Sequence, residues 1–176
     1  MRLSNITLLM FAFFALILQG CGGGGGGGGS TGSNGGVTTK TATIIFSSQD
    51  STDPSQTLGG FDLTLDLSAL PAGAQILTDS NGVPLTSSVF LSGEFAGSSL
   101  NSTGVNNTYD SSTRVLTINY PSTQSYSLGQ FLTVIVSVPN TYTPNVADIN
   151  GHYTTAFYEP GTGNPLSSVT ASATFN

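Results

Sequence analysis

The stretch that decides the fold is GFDLTLDLSAL, residues 60–70, in which apolar and polar side chains alternate. Phe61, Leu63 and Leu65 fall on one side of an extended chain, and Asp62 and Thr64 fall on the other. Side chains alternate across a β-strand, so this pattern predicts a strand with one buried face and one solvated face.

The chain after residue 36 continues in short apolar runs separated by turn formers. The turn segments include DPSQ, LPAG, DSNG, DSST and PGTGNP. No helical period is sustained, although VADIN at residues 146–150 allows one turn. We therefore predict an all-β fold, a two-sheet antiparallel sandwich of about seven to nine strands. Residues 110–113 are expected to close one hairpin, and residues 156–175 to form a longer closing hairpin. The predicted strand runs are residues 41–48, 60–67, 87–95, 106–110, 113–120, 130–139, 152–159 and 168–175.

Residues 1–20 have the pattern of a signal peptide. A short polar start with one positive charge precedes the apolar run ITLLMFAFFALIL at residues 6–18. A helix of that length spans about 20 Å, which is less than the roughly 30 Å hydrocarbon core of a bilayer. The run therefore predicts a cleaved export signal and not a membrane-spanning helix.

The next residues, LQGC, resemble the lipobox of bacterial lipoproteins. Leu18 stands three residues before Cys21 and the small Gly20 stands directly before it, whereas Gln19 occupies a position where a small residue is commoner. The resemblance implies cleavage between Gly20 and Cys21, thioether lipidation of Cys21 and acylation of the new terminus, for example by palmitate. Two or three acyl chains anchor a protein stably. Gly22 after the cysteine is compatible with sorting to the outer membrane in a Gram-negative cell. The alternative to the lipoprotein interpretation is a secreted protein with an incidental cysteine.

Residues 21–36 hold the expected lipid-bearing cysteine and a glycine-rich tether, GGGGGGGGSTGSNGG. Such a chain is flexible, with a reach of about 20 Å. A phosphate-binding loop would need a strand before it and a helix after it, and the sequence predicts neither. Cys21 is the only cysteine, so the sandwich at residues 37–176 is expected to fold without a disulfide.

The charge balance excludes several partners. With Arg2 removed in the signal peptide, Lys40 and Arg114 face nine acidic residues, a formal charge of −7. Nucleic acid and anionic lipid surfaces are bound by clusters of Lys and Arg, which this sequence lacks. We expect the membrane to be reached through the lipid anchor alone.

Four stretches of the sandwich region follow one another at residues 59–77, 112–122, 128–139 and 157–175. Their order resembles that in the cohesin-like domains, relatives in fold of some cellulose-binding modules. This resemblance implies a jelly-roll-like sandwich of about nine strands that binds through an exposed sheet face or loops. In cellulosomes, cohesins bind calcium-dependent dockerin modules. No partner-contacting residue carries over, because no residue-level motif aligns.

The sequence gives little support to an enzyme. His152 is the only histidine, and the GxSxG pattern at residues 28–32 lies in the glycine tract without a strand-turn-helix setting. Glu94 and Glu159 are candidate paired carboxylates of a glycosidase, although solvated strand-face charges explain them more simply. We expect no catalytic site and no cofactor.

Three segments are rich in oxygen ligands of the kind that calcium prefers: residues 50–55, 79–82 and 101–110. None follows the EF-hand spacing. Turns closed by Asp and Asn side chains account for them without a metal, so no metal site is expected.

Tyrosines in the C-terminal half are the candidate ligand-binding residues. Tyr120, Tyr126, Tyr142 and Tyr158 would offer aromatic faces to sugar rings while their hydroxyls stay wet. The alternative is that the strand tyrosines, Tyr153 among them, belong to the core or are ordinary half-exposed residues.

Together these features predict an extracytoplasmic lipoprotein of the bacterial cell envelope, carrying a cohesin-like module for protein–protein recognition. The alternatives are a carbohydrate-binding module using the tyrosine-bearing loops and a passive structural role in the envelope.

Overall fold

The computed structural model describes residues 38–176, which form a sandwich of antiparallel β-sheets. The predicted all-β sandwich is confirmed. Two short 3-10 helices, Gly93–Phe95 and Val146–Asp148, and no α-helix occur in this part of the chain. The strands are β1 (Thr39–Asp50), β2 (Thr57–Leu58), β3 (Gly60–Asp66), β4 (Val89–Leu91), β5 (Asn106–Asp110), β6 (Val115–Tyr120), β7 (Tyr126–Ser127), β8 (Gln130–Pro139), β9 (Tyr153–Tyr158) and β10 (Val169–Phe175).

Two four-stranded sheets make up the sandwich. Sheet 1 has the strand order β10-β1-β8-β4, and sheet 2 has the order β5-β6-β3-β9. The two-residue strands β2 and β7 pair separately, and they take the strand count above the predicted range. In sheet 1, β1 lies between β10 and β8 and is antiparallel to both.

The core lies between the inner faces of the two sheets, as the alternation in β3 predicts. Leu63 and Leu65 are buried, whereas Thr64 between them is exposed. Phe131 of sheet 1 meets Phe61 of sheet 2 at a ring-centroid distance of 4.8 Å. The same ring lies 5.4 Å from Phe157, edge to face. Aromatic side chains therefore join the two sheets directly.

The predicted hairpin of residues 156–175 is wrong. β9 pairs with β3 in sheet 2, whereas β10 pairs with β1 in sheet 1. A turn closed by the Tyr158–Pro165 bridge ends β9, and the chain then crosses to the other sheet. The start of β10 is fixed there by a hydrogen bond of 2.6 Å from Ser168 Oγ to Asp50 Oδ2 at the end of β1. β10 therefore pairs with the free edge of β1 and not with β9.

Two other local predictions have different outcomes. The hairpin at residues 110–113 is confirmed, with Asp110 opposite Val115. The run at residues 87–95 is a strand only at Val89–Leu91, because the chain turns into a 3-10 helix at Gly93. Gly93 has a φ of +58°, and a Cβ there would collide with the carbonyl oxygen of Gln130. A glycine is therefore required at this turn.

Candidate binding cleft and sheet faces

A wide cleft of about 950 Å³ lies at one end of the sandwich. Three chain segments form its walls: residues 96–102, residues 121–126 and residues 161–163. The first follows the 3-10 helix Gly93–Phe95, and the others follow β6 and β9. The cleft is therefore built by loops on a rigid β-scaffold, the usual place for a binding site.

The strand register explains why these loops meet. Tyr120, the last residue of β6, is opposite Phe61, and Tyr158, the last residue of β9, is opposite Gly60. β6 and β9 thus both end at the start of β3. The loops that follow β6 and β9 therefore leave sheet 2 at the same end.

Buried aromatic rings form the floor of the cleft. The Tyr126 ring stacks on Phe95 with centroids 3.9 Å apart and an interplanar angle of 15°. Tyr120 packs against Phe95 and Phe61 at centroid distances of 5.9 and 5.6 Å. Tyr120 is 6% exposed and Tyr126 is 8% exposed, so neither ring offers a free face to a ligand.

The hydroxyl groups of these two tyrosines form a network that faces the loops. The two phenol oxygens are 3.0 Å apart. Tyr126 Oη lies 3.0 Å from Ser98 Oγ and donates to Gln124 Oε1 at 3.0 Å. Burial raises the pKa of the Tyr120 hydroxyl, which stays protonated at neutral pH. Burial acts in the same direction on Tyr126, but hydrogen bonds with Ser122, Ser98 and Tyr120 outweigh it and lower the pKa of that hydroxyl. The network is held in place by packed rings.

A smaller pocket of about 210 Å³ adjoins the cleft and shares Tyr120, Pro121, Ser122 and Gly163 with it. Its polar centre is the carboxylate of Asp62.

That carboxylate accepts a hydrogen bond from Asn119 Nδ2 at one oxygen and one from Tyr158 Oη, at 2.6 Å, at the other. The bond to Asp62 raises the pKa of the Tyr158 hydroxyl. Tyr158 therefore acts as a donor that orients the carboxylate.

Tyr142 lies elsewhere and lines neither pocket. Its hydroxyl donates to Asp148 Oδ2 at 2.6 Å, beside the 3-10 helix Val146–Asp148. Burial together with this bond raises the pKa of Tyr142 to about 12. Three of the four predicted tyrosines thus meet at one end of the sandwich. Tyr120 and Tyr126 contribute hydroxyls and not exposed ring faces, whereas Tyr158 is half-buried. Ligand binding by these tyrosines stays a prediction.

The other tyrosine that the sequence singles out packs into the interior. Tyr153 is half-buried, and its ring meets Phe46 edge to face at 5.2 Å. Its hydroxyl donates to the carbonyl oxygen of Ala171 in β10. The interpretation of Tyr153 as a core residue fits this environment.

The residues considered for catalysis are not brought together. Glu159 lines the smaller pocket, whereas Glu94 lines neither the pocket nor the cleft. The carboxylate of Glu159 accepts hydrogen bonds from Thr162 and Asn164, which lower its pKa. His152 precedes β9, where its carbonyl oxygen accepts from the Asp66 amide. These side chains do not form one reaction centre.

The Asp residues of two oxygen-rich segments close turns, as expected. Asp50 Oδ1 accepts from Thr52 N and Oγ1 at 2.7 and 2.6 Å. Hydrogen bonds from Ser168 and Thr52 hold the pKa of Asp50 far below its usual value. Asp79 Oδ1 accepts from the amides of Asn81 and Val83.

Asp79 also lines a hollow of about 450 Å³ with residues from 100 to 108, so the structure places two of the three segments side by side. Asp79 supplies the only carboxylate of that lining. Within residues 38–176, no group of three or more His, Cys, Asp or Glu side chains is placed to hold a metal ion.

The positions of sheet 1 that alternate outwards carry no charged side chain, because Lys40 of β1 falls in the inward set, opposite Val138. One row across all four strands consists of Phe90, Thr133, Ile45 and Thr174. Ile135 lies opposite Thr43 in the neighbouring row, and Phe90 is 36% exposed. The other outward residues on this face are Thr39, Thr41, Ser47, Gln49, Gln130, Ser137, Pro139, Thr170 and Ser172.

The outer face of sheet 2 differs in charge. It carries Asp62 and Asp66 on β3 and Asp110 at the end of β5. In the middle row, Thr64 lies between Thr117 and Thr154. The sandwich therefore has one uncharged broad face and one acidic broad face. The sequence alternation contained this difference, but only the strand order shows which residues share a face.

The predicted cleavage site and lipid-attachment residue, Gly20 and Cys21, lie outside the described residues. The described part of the chain contains no helix of the length and hydropathy needed to cross a bilayer. Comparisons with protein-family models, curated proteins and solved structures find no match for this chain.

Proposed function

We propose that this protein is a lipid-anchored binding module of the bacterial cell envelope that recognises another protein through the outer face of sheet 1. The observation that carries this proposal is the absence of charge from that face, next to an acidic face on the other sheet. The cores of protein interfaces are depleted of charged residues. The proposal agrees with the cohesin-like resemblance, which implies binding through an exposed sheet face or through loops.

Desolvation explains why this face is the better candidate. Burying an ionised carboxylate is expensive unless it is paired, whereas hydroxyls and aliphatic groups are removed from water at a much lower cost. On sheet 1, the Thr133 hydroxyl already donates to Ser92 Oγ at 2.9 Å, and Gln130 Nε2 donates to the same oxygen at 2.9 Å. These polar groups are satisfied within the protein and lose little when a partner covers them.

The size of the face is compatible with a modest interface. Strand rise and strand spacing give it an area on the order of 400 Å², about half of what one partner contributes to a standard interface. Further apolar surface lies beside β8, where Gln75 pairs with Ser137. Beyond Gln75, Leu77 and Leu85 are opposite each other in a short hairpin and are 51% and 38% exposed.

Membrane attachment rests on the N-terminal sequence. Export followed by acylation of Cys21 would place the acidic module outside the cytoplasm. Metabolic labelling with an alkyne analogue of palmitate should mark the protein and leave it in the membrane fraction. A Cys21→Ser variant is the control and should lose both properties. An unlabelled wild-type protein would refute the anchor.

Protein recognition is tested with a matched pair of variants. Thr43→Glu places a charge on β1, an inner strand of sheet 1, and Thr64→Glu places one on β3, an inner strand of sheet 2. The full-length protein is used to capture material from envelope and secreted extracts of its host, with calcium and with a chelator.

We expect a discrete protein that binds the wild type and Thr64→Glu but not Thr43→Glu. Capture that Thr43→Glu leaves unchanged, or no captured protein, would refute recognition through this face.

Carbohydrate recognition is the second candidate function. The hydroxyl-lined cleft favours it, and its argument is independent of the sheet face. A passive role in the envelope would follow if both sites fail their tests.

A further inference from the structure

We propose that the cleft at the end of sheet 2 is a binding site for neutral carbohydrate, separate from the outer face of sheet 1. Its volume of about 950 Å³ falls in the range of small-molecule sites. The ligand class follows from the chemistry of the lining, which is rich in hydroxyl and amide groups and poor in charge.

The walls of the cleft contain no ionisable acid or base other than tyrosine. The two basic residues of the described chain lie elsewhere. Arg114 donates to the carbonyl oxygens of Ser68 and Pro71 at 2.8 and 2.9 Å, and Lys40 is on β1, in sheet 1. A phosphate or carboxylate in the cleft would meet no compensating cation, so the lining disfavours anionic ligands.

The polar groups of the cleft are arranged before any ligand arrives. Tyr126 is fixed by its stacking on Phe95 and by packing beside Tyr120. Its hydroxyl bonds within a network that includes Ser98 and Gln124. A sugar hydroxyl both donates and accepts hydrogen bonds, and such a network presents both functions at fixed positions. Preorganised groups lose little entropy on binding, and this favours a polyhydroxylated ligand.

Room for a chain of sugars comes from the loop residues. Gly97, Gly161 and Gly163 line the cleft, and a Cβ at any of them would meet no atom within 4 Å. Ala96 and Pro121 are exposed on the walls and add apolar surface for the C–H faces of a sugar ring. The cleft thus combines directional polar groups with small apolar patches.

The adjoining smaller pocket adds selectivity. The Asp62 carboxylate is held there by Asn119 and Tyr158, and Glu159 lies on the same lining. Carboxylate oxygens accept hydrogen bonds from sugar hydroxyls but repel a uronic or sialic acid. We therefore expect the site to discriminate between neutral and acidic glycans of the same length.

The test uses the full-length protein in a zwitterionic, sugar-free detergent. Isothermal titration measures binding of hexasaccharides of glucose, mannose, galactose and N-acetylglucosamine, with a galacturonate hexasaccharide as the acidic probe. At least one neutral probe should bind, and at least tenfold more tightly than galacturonate. No binding of any neutral probe at millimolar concentration, or equal binding of galacturonate, would overturn the proposal.

Two variants locate the site. Thr123→Trp fills the cleft from an exposed wall position, and Tyr126→Phe removes the central hydroxyl while keeping the ring. Each should weaken binding of the neutral probe at least fivefold, whereas Thr64→Trp on the outer face of sheet 2 should not. Binding that both cleft variants leave intact would refute the assignment.

The sheet-face variant separates this proposal from the proposed function. Thr43→Glu should abolish capture of the protein partner and leave sugar binding unchanged. Thr123→Trp should weaken sugar binding and leave capture of the protein partner unchanged. Loss of sugar binding in Thr43→Glu with an unchanged unfolding midpoint would refute the independence of the two sites.

Discussion

Phe61 joins the two sheets, so its removal should damage the fold severely. It is fully buried on β3 in sheet 2. Its ring meets Phe131 of sheet 1 at 4.8 Å and lies 5.7 and 5.6 Å from Phe95 and Tyr120 beneath the cleft. Replacing a buried Phe by Ala costs about 3–5 kcal/mol. The three aromatic contacts place Phe61→Ala at the upper end of this range, about 4–5 kcal/mol.

Phe61→Leu is the matched control. It keeps most of the side-chain volume and loses the ring contacts, so we expect a loss of about 1–2 kcal/mol. Urea unfolding followed by far-ultraviolet circular dichroism measures the free energy of unfolding, with the slope against urea as a check on two-state behaviour. A loss below about 2 kcal/mol for Phe61→Ala, or equal losses for the two variants, would refute this role of the ring.

Three further predictions concern the cleft, the β5–β6 hairpin and the start of β3. Tyr126→Phe should lower the free energy of unfolding, measured by urea unfolding, by about 1 kcal/mol. The loss should be smaller in a Tyr120→Phe background, because the two hydroxyls share one network. Additive losses would contradict the shared network. Hydrogen bonds from Ser112 lower the pKa of Asp110 to about 2. The ionised Asp110 therefore contributes fully to the free energy of unfolding above about pH 4, and this contribution is lost as the pH falls towards 2. The difference in unfolding midpoint between wild type and Asp110→Asn should therefore narrow over that interval, and a constant difference would refute the linkage. Gly60→Ala should lower the melting temperature more than Thr64→Ala, because a Cβ on Gly60 would collide with the carbonyl of Tyr120; equal shifts would argue against the close approach.

Much of the fold could be predicted because the apolar period is two and the strands are short. The predicted runs at residues 106–110 and 130–139 coincide with β5 and β8. The strand with which β10 pairs could not be predicted in this way. Phe157 and Val169 are buried on opposite sheets, and alternation specifies which face of a strand is buried without specifying the neighbouring strand.

The cleft was only partly predictable. The sequence identified Tyr120 and Tyr126, but it suggested exposed rings. The alternation from Leu116 through Ile118 to Tyr120 did contain the signal that Tyr120 points inwards. Stacking of Tyr126 on Phe95 brings strand β7 against the 3-10 helix Gly93–Phe95, and these elements are far apart in sequence. The paired hydroxyls are a consequence of tertiary structure and leave no local pattern.

The position of β1 also determines how the domain would respond to force. β1 begins at Thr39, where the predicted tether joins the sandwich, and it has nine register pairs with β8 and seven with β10. A pull on the tether, resisted by a bound partner, would act along β1 and load these bonds in parallel. Such shear requires many hydrogen bonds to break together, whereas peeling breaks them one at a time. The strand next to the predicted tether is thus the one best placed to carry mechanical load.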